Sequence, residues 1–178
     1  MNQQTDENLV TDSRNGDMKS FKLLVERYES KVAGVIKSML GDTPEALDIG
    51  QEVFIRFYES LDKFRGESSL GTYLIRIAIN LSLNEIKSRK KRNSFFSQAD
   101  AGLNVNIETV NSNDLKEAVN YEISRLESEF KLVVVLRMIE GYSTEETAEI
   151  LDIPLGTVLS RLSRAQKKLK SMLSKHLE

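Results

Sequence analysis

The spacing of apolar residues constrains this chain more than any other feature. Between Phe21 and Met39 they recur at threes and fours, as Phe21, Leu24, Val25, Tyr28, Val32, Val35, Ile36 and Met39, which winds them onto one stripe of a helix. Alternating runs of β-branched residues are scarce, so the strand period has little support. The pattern predicts a helix over about 17–40, a second from Pro44 to about Leu61 and a third over about 69–92, with Leu70, Leu74, Ile77 and Leu81 on one stripe. Thr43-Pro44 reads as an N-cap followed by Pro at the first helical position. Residues 93–113 then lose the period and hold five Asn and three Ser. Four further helices are expected at about 115–128, 129–140, 143–151 and 155–173. The expected fold is all-α: two small helical domains, residues 1–92 and 114–178, joined by a flexible linker over 93–113.

Composition removes several functions. With no Cys and one His, the 178-residue chain offers no disulfide scaffold, no thiol nucleophile and no Cys/His zinc site. No cofactor and no metal are expected. Apolar runs such as Leu132–Leu136 fall far short of the roughly 20 residues that cross a bilayer, and the first residues are polar and acidic, unlike an export signal. The expectation is a cytoplasmic protein without membrane insertion. The net charge of −2 hides a segregation of sign. Lys87–Arg92 carries five cations in six residues, and Gly156–Glu178 carries six Lys and Arg against one acid. Both are candidate polyanion contacts on an otherwise acidic chain.

The second basic stretch lies in a recognisable frame. Ser143-Thr-Glu-Glu146 fits a capping box, so a short helix starts there. It stops at Asp152-Ile153-Pro154, and Leu155-Gly156-Thr157 opens the next helix, giving helix, tight turn, helix. On that last helix Thr157, Ser160, Arg161, Arg164, Lys168 and Ser171 gather into a polar, basic stripe. Beside it Val158, Leu162, Ala165, Leu169 and Met172 form an apolar one. One face packs and its neighbour is placed to enter a DNA groove, with Arg161 the first candidate for a base contact.

The first domain holds two softer signals. Asp48, Gln51, Glu52, Arg56 and Glu59 recur at helical spacing, while Leu47, Val53, Phe57 and Leu61 are expected to face inward. Two carboxylates on one face without further matching acids suit a solvated surface or a docking patch better than a metal site or a metal-dependent nuclease. The loop Phe64-Arg65-Gly66-Glu67-Ser68-Ser69 precedes a helix carrying Tyr73, Arg76, Asn80 and Asn84. Such side chains stack on and hydrogen-bond exposed bases, but Phe64 and Tyr73 serve equally well as core, and both readings stand at this point.

These residues resemble bacterial sigma factors of RNA polymerase, of the short two-domain extracytoplasmic-function type. Asp48-Ile-Gly-Gln51-Glu52-Val53-Phe54 resembles the segment that docks on core polymerase, which implies Asp48, Gln51, Glu52 and Phe54 as contacts. Phe64-Arg65-Gly66 and Thr72 through Asn80 resemble the segment that melts and reads the minus-ten element, implying Phe64, Arg65, Ser68, Tyr73, Arg76, Asn80 and Asn84. Leu136-Arg137 through Ala165 is similar to the minus-thirty-five helix-turn-helix, implying Thr157, Ser160, Arg161, Arg164 and Lys168. Tyr73 stands where the family usually has Trp, and Glu127 follows Leu126 where Pro is common. The resemblance implies a specificity subunit without bond chemistry of its own, whose partners are core RNA polymerase, promoter DNA and an anti-sigma factor. The rival is a stand-alone helix-turn-helix transcriptional regulator, which needs no polymerase-docking stripe.

Overall fold

A computed structural model describes residues 4–96 and 112–174. Every regular element among them is helical: α1 (Asp6–Arg14), α2 (Met18–Leu40), α3 (Pro44–Glu59), α4 (Leu70–Phe96), α5 (Ser112–Arg125), α6 (Ser128–Val134), α7 (Thr144–Leu151) and α8 (Leu155–Leu173). A 3-10 turn, Leu61–Lys63, follows α3, and a π-helical turn, Val135–Ile139, continues α6. The chain divides into two units, the first built on α1–α3 and on α4 through Ser82, the second beginning at Leu83 and built chiefly on α5–α8.

Local chemistry sets the boundaries. Thr43 caps α3 through its hydroxyl, which accepts from the Ala46 amide at 3.3 Å, and Pro44 occupies the first turn where its missing N–H costs nothing. Asp17 caps α2, accepting from the Lys19 amide at 3.0 Å and the Ser20 hydroxyl at 2.8 Å. These bonds to the ionised form hold its carboxyl below the usual value. Between α1 and α2, Gly16 takes a φ of 90°, and the amides of Gly16 and Asp17 return to the carbonyls of Ser13 and Asp12, which turns the chain back sharply.

In the first unit the inward faces of α1 and α2 meet α3 and the 3-10 turn, burying Leu9, Leu24, Val35, Ile36, Val53, Phe57 and Leu61, while α4 buries Leu74, Ile75 and Ala78. In the second unit α8 lays Ala165 and Leu169 against Ile123, Leu126, Phe130 and Val134.

Several expectations need correction. The helix α1 was not anticipated, because only Leu9, Val10 and Ser13 of its nine residues are buried. Polar bonds add to these in docking it: Asp6 accepts from the Arg27 guanidinium and the Tyr28 hydroxyl, both on α2. Leu47 does not face inward; it is 69% exposed, about a quarter to a third of a turn around α3 from the buried Val53 and Phe57. Leu61 is buried as expected but belongs to the 3-10 turn. The helix expected over 129–140 keeps α geometry only to Val134, where the π-helical turn begins, and Arg137 secures that turn by donating to the Tyr142 carbonyl. Of the residues assigned to the linker, 93–96 continue α4 and 112–113 begin α5, while 97–111 lie outside the described residues, as does His176.

Candidate polymerase and nucleic-acid interfaces

The outer face of α3 is mixed in chemistry. Asp48 and Gln51 are exposed, and Glu52 accepts from Arg56 Nε one turn on at 2.7 Å. Phe54 is half-buried at the edge of the same face. Sequence reasoning missed the apolar members beside them: Leu47, Ile55 at 52% exposure and Tyr58 at 44%. At spacings of eight and three residues they fall on one side of the helix, so this face offers apolar area bordered by carboxylates. Among the described residues no group of three or more His, Cys, Asp or Glu gathers in a way that could hold a metal.

The loop after α3 is an aromatic corner. Phe64 and Tyr73 lie 5.0 Å apart between ring centroids, and each sits near the fully buried Phe57, at 6.2 and 6.1 Å. The Tyr73 hydroxyl donates to Ser60 Oγ at 3.0 Å. Neither ring is fully buried, so each is half core and half surface. Arg14 of α1 bolts this corner in place, its Nε donating to the Leu61 carbonyl at 2.8 Å and its Nη2 to the Phe64 carbonyl. No local pattern could have announced that contact, which spans about fifty residues of sequence. Gly66 turns the loop with a φ of 71°, and Ser69 caps α4 by accepting from the Thr72 amide at 3.1 Å. Arg65 is exposed and Ser68 half-buried.

Along α4 the buried Leu74, Ala78 and Leu81 define the inward side. Tyr73, Asn80, Asn84 and Lys87, at spacings of seven, four and three, run down the opposite side, with Asn80, Asn84 and Lys87 exposed and Arg76 half-buried at its edge. The basic run beyond is partly neutralised: Glu85 accepts from Arg89 at 2.9 Å and from Arg92 at 2.7 Å.

In the second unit the capping box forms as expected. Ser143 Oγ accepts from the Glu146 amide at 3.0 Å, and Glu146 accepts from the Ser143 amide at 2.7 Å. Asp152 ends α7 with a φ of 52°, while the amides of Asp152 and Ile153 return to the carbonyls of Glu149 and Ala148, leaving three residues before α8 starts at Leu155. This is a helix-turn-helix built by a left-handed residue and a capping box.

Burial then decides which side of α8 looks outward. Val158, Ala165 and Leu169 are buried and Leu162 and Met172 half-buried, as the apolar stripe requires. Ser160, Ser163, Arg164 and Lys167 are exposed on the far side, together with Leu159 at 50%. Thr157 is half-buried. The two cations nearest the apolar stripe are engaged. Arg161, its side chain 27% exposed, pairs with Glu129 at 3.0 Å, and Lys168 donates to both oxygens of Glu127 at 2.7 and 2.6 Å. Arg164, in contrast, pairs with no carboxylate among the described residues. The polar stripe is thus divided between outward-facing and internally paired members, a split that charge counting along the sequence does not register.

The chain is similar to known proteins in sequence and in fold. Residues 24–92 match the family model of sigma-70 region 2 and residues 116–169 that of sigma-70 region 4. An extracytoplasmic-function RNA polymerase sigma-E factor of Haemophilus influenzae is 37% identical, covering 96% of each chain. In fold, the chain is similar to CnrH, solved in complex with the cytosolic domain of CnrY, with a TM-score of 0.72 at 22% identity over 96% of this chain and 97% of that one. It is also similar to RpoE of Bartonella quintana, solved with the anti-sigma factor NepR, with a TM-score of 0.65 at 24% identity over 88% and 98%. The helix-turn-helix, the aromatic corner and the mixed face of α3 therefore belong to a member of the sigma-70 family: the chain is an RNA polymerase sigma factor of the extracytoplasmic-function type, which directs core polymerase to specific promoters.

Proposed function

We propose that the chain divides promoter recognition between residues 1–92 and 114–178, and that it performs no bond chemistry itself. The outer face of α3 docks on core polymerase through Asp48, Gln51, Glu52 and Phe54, with Leu47, Ile55 and Tyr58 supplying apolar area at its centre. Phe64, Arg65, Ser68, Tyr73, Arg76, Asn80 and Asn84 receive unpaired bases of the minus-ten element, the half-exposed rings providing stacking surface. Thr157, Ser160, Arg161, Arg164 and Lys168 meet the minus-thirty-five duplex, where the N-terminal half of a recognition helix reaches base edges and the rest meets phosphate. Ser160 and Arg164 are exposed for this; Arg161 and Lys168 are in addition held by Glu129 and Glu127. The partners are core polymerase, promoter DNA and an anti-sigma factor, as in the Bartonella quintana complex, and the chain works in the cytoplasm with its polymerase. None of the described helices is long and apolar enough to cross a membrane.

The observation that carries this reading is the exposed row Ser160–Arg164–Lys167 on the second helix of a capped helix-turn-helix. Run-off transcription with purified core polymerase tests it. Asp48→Lys combined with Glu52→Lys should abolish core binding with the fold intact, because exposed helix charges contribute only about 0–1 kcal/mol to stability. Arg164→Ala should spare core binding and weaken use of the upstream element. Unchanged co-purification of the doubly reversed variant with core would remove the docking role.

A further inference from the structure

The acids that open α6 hold two cations of α8. Glu127 occupies the N-cap position of α6, yet its side chain makes no capping bond to the first turn. Its carboxylate instead accepts from Lys168 through both oxygens, and the Lys168 ammonium also lies 4.7 Å from the centre of the Phe130 ring. Two residues on, Glu129 holds Arg161. Arg161 and Lys168 are seven residues apart, so they share one side of α8, bordering the outward row of Ser160, Arg164 and Lys167.

We propose that Glu127 and Glu129 are affinity-setting residues of the upstream DNA-binding surface, holding Lys168 and Arg161 away from phosphate in the free protein. The inference rests on the reading of α8 as the duplex-facing helix. A phosphate that recruits Lys168 competes with a carboxylate that already accepts from its ammonium through both oxygens, and an ammonium held over a ring face is anchored further. The lysine's bonds keep the Glu127 carboxyl below its ordinary value, so it stays ionised throughout the neutral range and the restraint is constant rather than pH-switched. The exposed Glu127–Lys168 pair adds little to folding, so its weight falls on binding.

The consequence is measurable in salt dependence. Each phosphate contact steepens the logarithmic salt slope by about 0.9, which amounts to roughly eightfold in affinity between 1 M and 0.1 M salt. Binding of the full chain to a fluorescent duplex bearing an upstream promoter element, titrated across that salt range, reads this directly. Glu127→Gln should tighten binding about five- to tenfold at 0.1 M salt, converge with wild type at 1 M, and keep the wild-type melting temperature. The gain should vanish when Lys168→Ala is added, since the lysine is what Glu127 restrains; Glu129→Gln should behave likewise against Arg161→Ala. Equal affinity and slope for Glu127→Gln and wild type overturn the proposal, as does a gain that survives in the Lys168→Ala background. Arg164→Ala separates the two levels. If it weakens binding while Glu127→Gln changes nothing, only this inference fails; if Arg164→Ala is also without effect, the reading of α8 as the duplex-facing helix fails and this inference falls with it.

Discussion

Tyr73 packs against Phe57 and Phe64 and is also a proposed base-capture residue, and graded substitutions separate the two roles. Tyr73→Phe removes one interaction, the 3.0 Å bond to Ser60 Oγ, while Ser60 keeps its own bond to the Phe57 carbonyl at 3.1 Å. The expected loss is about 1 kcal/mol. Tyr73→Ala removes in addition the ring contacts to Phe64 and Phe57, each worth about 0.5–1.5 kcal/mol, and leaves a gap beside Phe57. For a half-buried ring the total is about 3 kcal/mol. The exposed part of the same ring, stacked on an unpaired base, adds about 1–3 kcal/mol to the open complex, or roughly 5- to 150-fold in its population. Thermal unfolding of the free chain measures the first quantity, and permanganate reactivity of start-site thymines with holoenzyme, well below each variant's melting temperature, measures the second. Tyr73→Phe should open promoters like wild type, Tyr73→Trp should do at least as well, and Tyr73→Ala should form the closed complex but lose reactive thymines. If Tyr73→Ala opens promoters normally while folded, the ring is core alone. If Tyr73→Phe fails as badly as Tyr73→Ala, the hydroxyl and not the ring face is the working part.

Three further outcomes follow from burial and protonation. The Thr147 hydroxyl is fully buried in α7 without a hydrogen-bond partner among the described residues, so Thr147→Val should stabilise the chain by about 1 kcal/mol, read as a higher denaturation midpoint at unchanged slope. Val158 is fully buried on the inward side of α8; Val158→Ala should cost about 1–3 kcal/mol in folding and weaken all promoters alike, whereas a change in base preference would mean that it touches DNA. Asp17 stabilises α2 as a carboxylate, and because its folded value is depressed, that contribution is complete above the ordinary carboxylate value and is lost as pH falls through the lowered one. The melting-temperature gap between wild type and Asp17→Asn should therefore be widest near neutrality and close in acid, and a gap independent of pH would mean the charge is irrelevant.

What the sequence disclosed and what it withheld divide along a physical line. Interactions within a turn or two of helix are written in local order: the Thr43-Pro44 start, the Ser143/Glu146 capping box and both limits of α8 appear in the structure as the pattern implies. Periodicity fails where a helix is held by something other than an apolar stripe. The helix α1 buries few residues and is fastened by Asp6 and Arg14 to partners more than twenty and forty residues away, so its own segment reads as a polar tail. Leu47 fails for the opposite reason: an apolar residue at helical spacing is assigned inward by default, although exposed apolar area is what a docking face needs. The basic stripe of α8 shows the same limit in charge. The sequence counts its cations, but which of them are paired depends on acids about thirty and forty residues upstream that only folding brings alongside. A net charge of −2 on a DNA-binding chain is then consistent with its task, because acids placed against selected cations set how strongly the free protein grips DNA before polymerase joins it.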